Sequence, residues 1–63
     1  MYYILKFESK DNMWDFIDAH IKSNYSADNP NHSVKLNEKD HPMQPMISKA
    51  QKAKGFLTAY KIK

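Results

Sequence analysis

No cysteine occurs anywhere in the 63-residue chain, so neither a disulfide nor a thiolate metal site can hold it together. Small scaffolds commonly lean on such staples. A chain this short hides only about 60% of the surface that its unfolded form exposes. Ordinary per-residue stability then amounts to roughly 3–9 kcal/mol in all. The fold must therefore come from packing, or share its apolar surface with a second copy or a partner. One domain spanning residues 1–63 fits that size, and no second one does.

The apolar content suffices for a core. Hydrophobic residues form 41% of the chain and aromatics 13%, which separates it from disordered sequences despite a negative mean hydropathy. No apolar run approaches the roughly 20 residues needed to cross a bilayer. Met1–Phe7 lacks the basic lead and small-residue cleavage site of a secretory signal. A cytoplasmic location without membrane association is the expectation.

Residue spacing then assigns the elements. Tyr2–Phe7 reads as a strand with Tyr3, Leu5 and Phe7 on one face, towards the core. Ser9 or Asp11 can cap a helix running from Asp11 to about Ser23. Within it Met13, Ile17 and Ile21 recur at helical spacing, with an Asp18–Lys22 pair on the far side. Asn24 suits the left-handed residue that ends a helix. Asn24–His32, with Asp28-Asn29-Pro30-Asn31, reads as an exposed loop. Ser33–Leu36 reads as a short strand facing Val34 and Leu36 inward, and Asn37–Gln44 as a second loop.

Pro45 suits the first turn of a second helix whose stripe is Met46, Ile47, Ala50 and Ala53, with Gly55 as its cap. Phe56–Ile62 closes the chain as a strand, with Phe56, Thr58, Tyr60 and Ile62 alternating against Leu57, Ala59, Lys61 and Lys63. The predicted architecture is α+β, a small two-layer sandwich of order β-α-β-α-β. It has a three-stranded sheet and two helices on one face, with the first or last strand central.

The chemistry-bearing residues are sparse. His20, His32 and His41 lack the i,i+4 partner of helix-borne metal sites, so no metal and no cofactor is expected. Cysteine nucleophiles are excluded, no G-x-S-x-G elbow surrounds any serine, and a single glycine cannot build a phosphate-cradling loop. Asp11, Asp15 and Asp18 line one helix surface, as solvated carboxylates do. So small a domain has little room for a dry pocket. A non-enzymatic protein is expected.

Charge supplies the remaining signal. Residues 1–40 hold seven acids and five lysines, whereas residues 41–63 hold five lysines and no acid. A one-signed surface of this kind steers anionic partners over about 8 Å at physiological salt. The expected partner-binding residues are Lys49, Lys52, Lys54 and Lys61, with Tyr60, Met43 or Met46 supplying apolar contact. Lys63 extends the set.

The favoured partner is a larger protein with an acidic surface. The chain would act on it as a modulator or inhibitor, of the kind that mobile elements and phages encode. Trp14, Phe16, Tyr2 and Tyr25 add aromatic surface suited to interfaces. The alternative is nucleic-acid binding by the same lysine face. Because all ten basic residues are lysine, bidentate reading of guanine is absent and such binding would be sequence-tolerant. Self-association through an exposed strand edge is a third option.

Overall fold

The computed structural model describes residues 1–62. β1 (Tyr2–Phe7) forms where expected, and Tyr3, Leu5 and Phe7 are fully buried while Tyr2, Ile4 and Lys6 are not. α1 (Lys10–His20) starts at Ser9, whose Oγ accepts the backbone N–H of Asn12 at 3.1 Å. Asp11 in its first turn complements the positive helix end. Met13, Phe16 and Ile17 face the sheet.

The helix stops at His20, short of the expected Ser23. Ile21 turns extended (φ −125°), still bonds the Ile17 carbonyl at 2.8 Å, and buries its side chain. Burying that side chain from an extended backbone leaves Lys22 outside the helix, so the expected i,i+4 geometry with Asp18 is not built. Asn24 does adopt a left-handed φ of 60°, but as the turn into a further strand.

That strand corrects the three-strand expectation. The expected loop over Asn24–His32 contains β2 (Tyr25–Asp28), which pairs antiparallel with β3 (Ser33–Asn37) from Tyr25↔Leu36 to Asp28↔Ser33. The Asp-Asn-Pro-Asn segment is the turn between them. Asp28 accepts the Asn31 side-chain amide at 2.7 Å, and His32 takes a left-handed φ of 53°. The order is therefore β-α-β-β-α-β, with a four-stranded sheet arranged β2-β3-β1-β4.

Every neighbouring pair of strands is antiparallel. β1 and β2 consequently run parallel with β3 between them, and β3 and β4 run parallel with β1 between them. These are two interleaved split β-α-β units. Crossovers of one hand lay both helices on the same sheet face. α1 packs on β1 and β3, and the second helix packs on β1 and β4.

The second helix, α2 (Met43–Gln51), begins two residues earlier than Pro45, directly after Pro42. Pro45 then lies in the first turn, where backbone N–H groups have no helical partner to lose. Gly55 is not the residue that ends α2. It lies in the turn after Lys52 at φ +80°, and its carbonyl accepts the Glu8 N–H at 2.7 Å.

β4 (Phe56–Ile62) carries a bulge opposite Lys6 and Phe7. Phe7 pairs with Phe56 and Lys6 with Thr58, so Leu57 is an extra residue and the alternation slips by one. Phe56 and Ala59 both turn towards the helices, and Thr58, Tyr60 and Ile62 turn away. The expected grouping of Phe56 with Thr58, Tyr60 and Ile62 fails for that reason.

The core is β1's Tyr3, Leu5 and Phe7, Val34 and Leu36 from β3, Met13, Phe16, Ile17 and Ile21 beside α1, and Met46 and Ala50 from α2. Phe7 anchors an aromatic group with ring centroids 5.3 Å from Phe16 and 5.7 Å from Phe56. No buried side-chain polar atom among the described residues lacks a partner. No helix among them is long and apolar enough to cross a membrane.

Two measurements test this packing. The buried Tyr3 hydroxyl donates to the His41 carbonyl at 2.6 Å. Burial, and secondarily the Glu38 carboxylate, push its pKa from 10.0 up to about 12. A phenol that ionises later when folded contributes stability that is whole below pH 10 and lost as pH climbs towards 12. Tyr3→Phe should cost about 1 kcal/mol at pH 8 through the missing hydrogen bond. In urea titrations that gap should shrink as pH rises above 10, and a constant gap would refute the assignment.

A Cβ at Gly55 would collide with the Asn12 side chain, in a backbone region that disfavours L-residues. Gly55→Ala should therefore lose at least about 1–2 kcal/mol. That corresponds to a thermal midpoint lower by about 4–16 °C.

Candidate functional site

The stripe that seats α2 decides where its lysines point. Met46 and Ala50 are buried and Met43 and Ile47 half-buried, which leaves Lys49 and Lys52 on the outward surface. Lys54 is exposed in the following turn, and three residues on Leu57 at the bulge is 54% exposed. These three lysines share one end of the α2–β4 flank.

Lys61 stands apart from them. Opposite Tyr3 on the helix side of the β4 edge, it lies about 17 Å along the strand from Phe56 at about 3.3 Å per residue. Lys63 lies outside the described residues.

The apolar members of the expected site also separate. Met46 is only 5% exposed and belongs to the core. Met43 is half-buried at the start of α2, packed against that core. Tyr60 is 49% exposed but occupies the sheet face opposite the helices, away from the α2 lysines. The expected single basic face, with Tyr60, Met43 or Met46 supplying its apolar contact, thus resolves into two surfaces.

The first is the lysine flank. Two acids border it: exposed Glu8 donates its backbone N–H to the Gly55 carbonyl directly after Lys54, and Asp11 precedes Asn12, whose side chain lies against Gly55. Asp15 and Asp18 are exposed further along α1, Asp28 on β2, and Glu38 and Asp40 lie in the loop before α2.

The second is the open sheet face, which sequence reasoning did not assemble. Strand register places three rows across it: Ile62, Tyr2 and Asn37; then Tyr60, Ile4, Lys35 and Ser26; then Thr58, Lys6, Ser33 and Asp28. Tyr2 is 46% exposed, and the Lys35 ammonium lies 4.8 Å from its ring centroid, a cation–π contact. The alternation of Tyr2–Phe7 already separates these residues from the core face. That Tyr2 and Tyr60 are neighbours follows only from pairing β1 with β4 across the bulge.

A cleft of about 330 Å³ opens at one end of this face, between Tyr2, Lys35, Asn37, Ser26 and Asp40.

The remaining candidates serve the fold. Trp14 is half-buried, donates its indole N–H to Asn29 at 2.8 Å, and meets Tyr25 edge-on at 6.2 Å. Phe16 is buried. His41 Nε2 lies 2.8 Å from the Ser23 carbonyl, and the His20 ring packs 4.8 Å from that of Phe16. Among the described residues no three His, Asp or Glu side chains converge as a metal site would require.

No protein-family model, no curated protein and no solved structure matches the chain.

The division between core and flank can be measured directly. Met46→Ala should destabilise the protein by about 2–5 kcal/mol, as truncation of buried methionine does. Lys49→Ala should change stability by no more than about 0.5 kcal/mol. A silent Met46→Ala would return Met46 to the list of surface contacts.

Proposed function

We propose that this chain is a small non-enzymatic interaction module that modulates or inhibits a larger protein by occupying an acidic surface on it. One observation carries this reading. Lys49 and Lys52 project from the outer surface of α2 and Lys54 follows at once, three cations on a helix and turn that carry no acid of their own, with Glu8 the acid bonded to that turn at Gly55.

Lysine ammonium groups are strongly hydrated point charges on flexible stems. At an interface rim they steer encounter and fix register, and contribute little buried affinity. Affinity then needs apolar contact close by. Leu57, 54% exposed at the bulge three residues after Lys54, can supply it, whereas Met43 and Ile47 lie on the inward side of α2.

The test is affinity capture from cell extract with the intact chain as bait, after nuclease treatment. The double substitution Lys49→Glu with Lys52→Glu should reduce recovery of the principal protein partner about tenfold or more. Raising salt from 0.1 to 0.5 M should weaken capture by the wild-type chain. Recovery that ignores both changes would refute the lysine flank as the docking surface. Capture abolished by the nuclease would instead favour nucleic acid as the ligand of this flank.

A further inference from the structure

We propose that the open face of the sheet is a second binding site, a platform for single-stranded nucleic acid. It is distinct from the lysine flank and does not rest on it. Tyr2 and Tyr60 sit on adjacent strands, Tyr2 opposite Ile62 and Tyr60 opposite Ile4. They are diagonal neighbours, about 7–8 Å apart. Each ring is about half exposed, which leaves a π-surface on which an unpaired base can stack. Stacking of this kind tolerates any base, because every base has a π-face.

Charge selects the occupant. The rows holding the two tyrosines also hold Lys35, and Lys6 stands in the next row. Lys6 can meet a phosphate between stacked bases, and Lys35, whose ammonium lies over the Tyr2 ring at 4.8 Å, would give up that contact to a base and meet the neighbouring phosphate. Asp28 lies at the far corner on β2, and Asp40 borders the cleft beside Tyr2. There the Asn37 amide, the Ser26 hydroxyl and the Asp40 carboxylate offer donors and acceptors to the edge of a base.

A second copy fits this face less well. Its rows carry Lys35 and Lys6 beside the tyrosines, with Asp28 at the far corner and Asp40 at the cleft, so face-to-face packing about the tyrosines would oppose lysine to lysine. A duplex fits poorly as well, because its bases are already stacked and a sheet face with exposed rings can engage only unpaired ones. Without arginine, guanine cannot be read bidentately, so the site tracks backbone and stacks bases with little sequence preference.

The experiment is fluorescence anisotropy with labelled 12-nucleotide oligo(dT), oligo(U) and a mixed sequence, plus a 12-base-pair duplex, at about 50 mM salt. Single strands should bind and the duplex should bind at least tenfold more weakly. The dT and U arms report whether DNA or RNA is preferred. Tyr2→Ala and Tyr60→Ala should each weaken binding by about 5- to 150-fold. Tyr2→Phe and Tyr60→Phe, which keep the ring, should bind nearly as the wild type does.

Lys35→Gln and Lys6→Gln should each flatten the slope of log K against log salt by about 0.7. The double charge reversal at Lys49 and Lys52 should leave binding within about threefold. Circular dichroism checks that each variant is folded. Four results would overturn the proposal: no binding at 100 µM protein, equal affinity for the duplex, indifference to both alanine variants, or loss of binding on reversing Lys49 and Lys52 alone. A concentration-dependent dimer in sedimentation, removed by Tyr60→Ala, would identify a second copy as the occupant and equally overturn it.

Discussion

β1 is the element against which everything else is placed. It pairs on both edges, with β3 and β4, and both helices pack on it. Its inward residues Tyr3, Leu5 and Phe7 are fully buried, and Phe7 joins α1 to β4 through Phe16 and Phe56. In a chain that lacks covalent staples, this single strand does the organising that a disulfide performs in other domains of similar size. Both candidate surfaces inherit their geometry from it: α2 is seated over β1 and β4, and the tyrosine pair spans the same two strands.

The two surfaces are chemically unlike. The lysine flank presents hydrated ammonium groups on flexible stems, suited to long-range attraction and to register more than to buried affinity. The open sheet face is laid on backbone whose register is fixed on both sides, so its aromatic and cationic groups are held at defined separations. An acidic protein and an unpaired nucleic-acid strand would therefore engage different sides of the molecule.

Sequence periodicity exposed much of this arrangement, and its failures have physical causes. The β1 faces, the Ser9 cap, the α1 stripe through Met13 and Ile17, and the helices on one sheet face could all be read from spacing. β2 could not, because Tyr25-Ser26-Ala27-Asp28 is an edge strand whose regularity comes from hydrogen bonds to β3. Turn-forming residues on its far side resemble a loop when the partner strand is unknown. The end of α1 moved because Ile21 reaches the core from extended backbone, a tertiary demand with no local signature.

The candidate site was legible only in part. Composition located the cations, and helical spacing set Lys49 and Lys52 outward. Met46 was misplaced because a narrow apolar stripe can be core or contact, and only the packing partner decides. Tyr60 was misplaced because strict alternation was carried through a strand in which one residue does not pair. Tyr2 was singled out as an interface aromatic, but its pairing with Lys35 was not, because their proximity depends on strand order, which a single sequence leaves undetermined.

The unpaired Leu57 is the device that lets β4 serve two layers. Ahead of it Phe56 seals the aromatic cluster under the helices, and beyond it Tyr60 and Ile62 look outward, although even spacing would have sent all three the same way. A protein with residues to spare could assign those duties to separate strands. Here one inserted position switches sides midway, so losing it would either unseat a ring from the interior or turn the outer tyrosine inward.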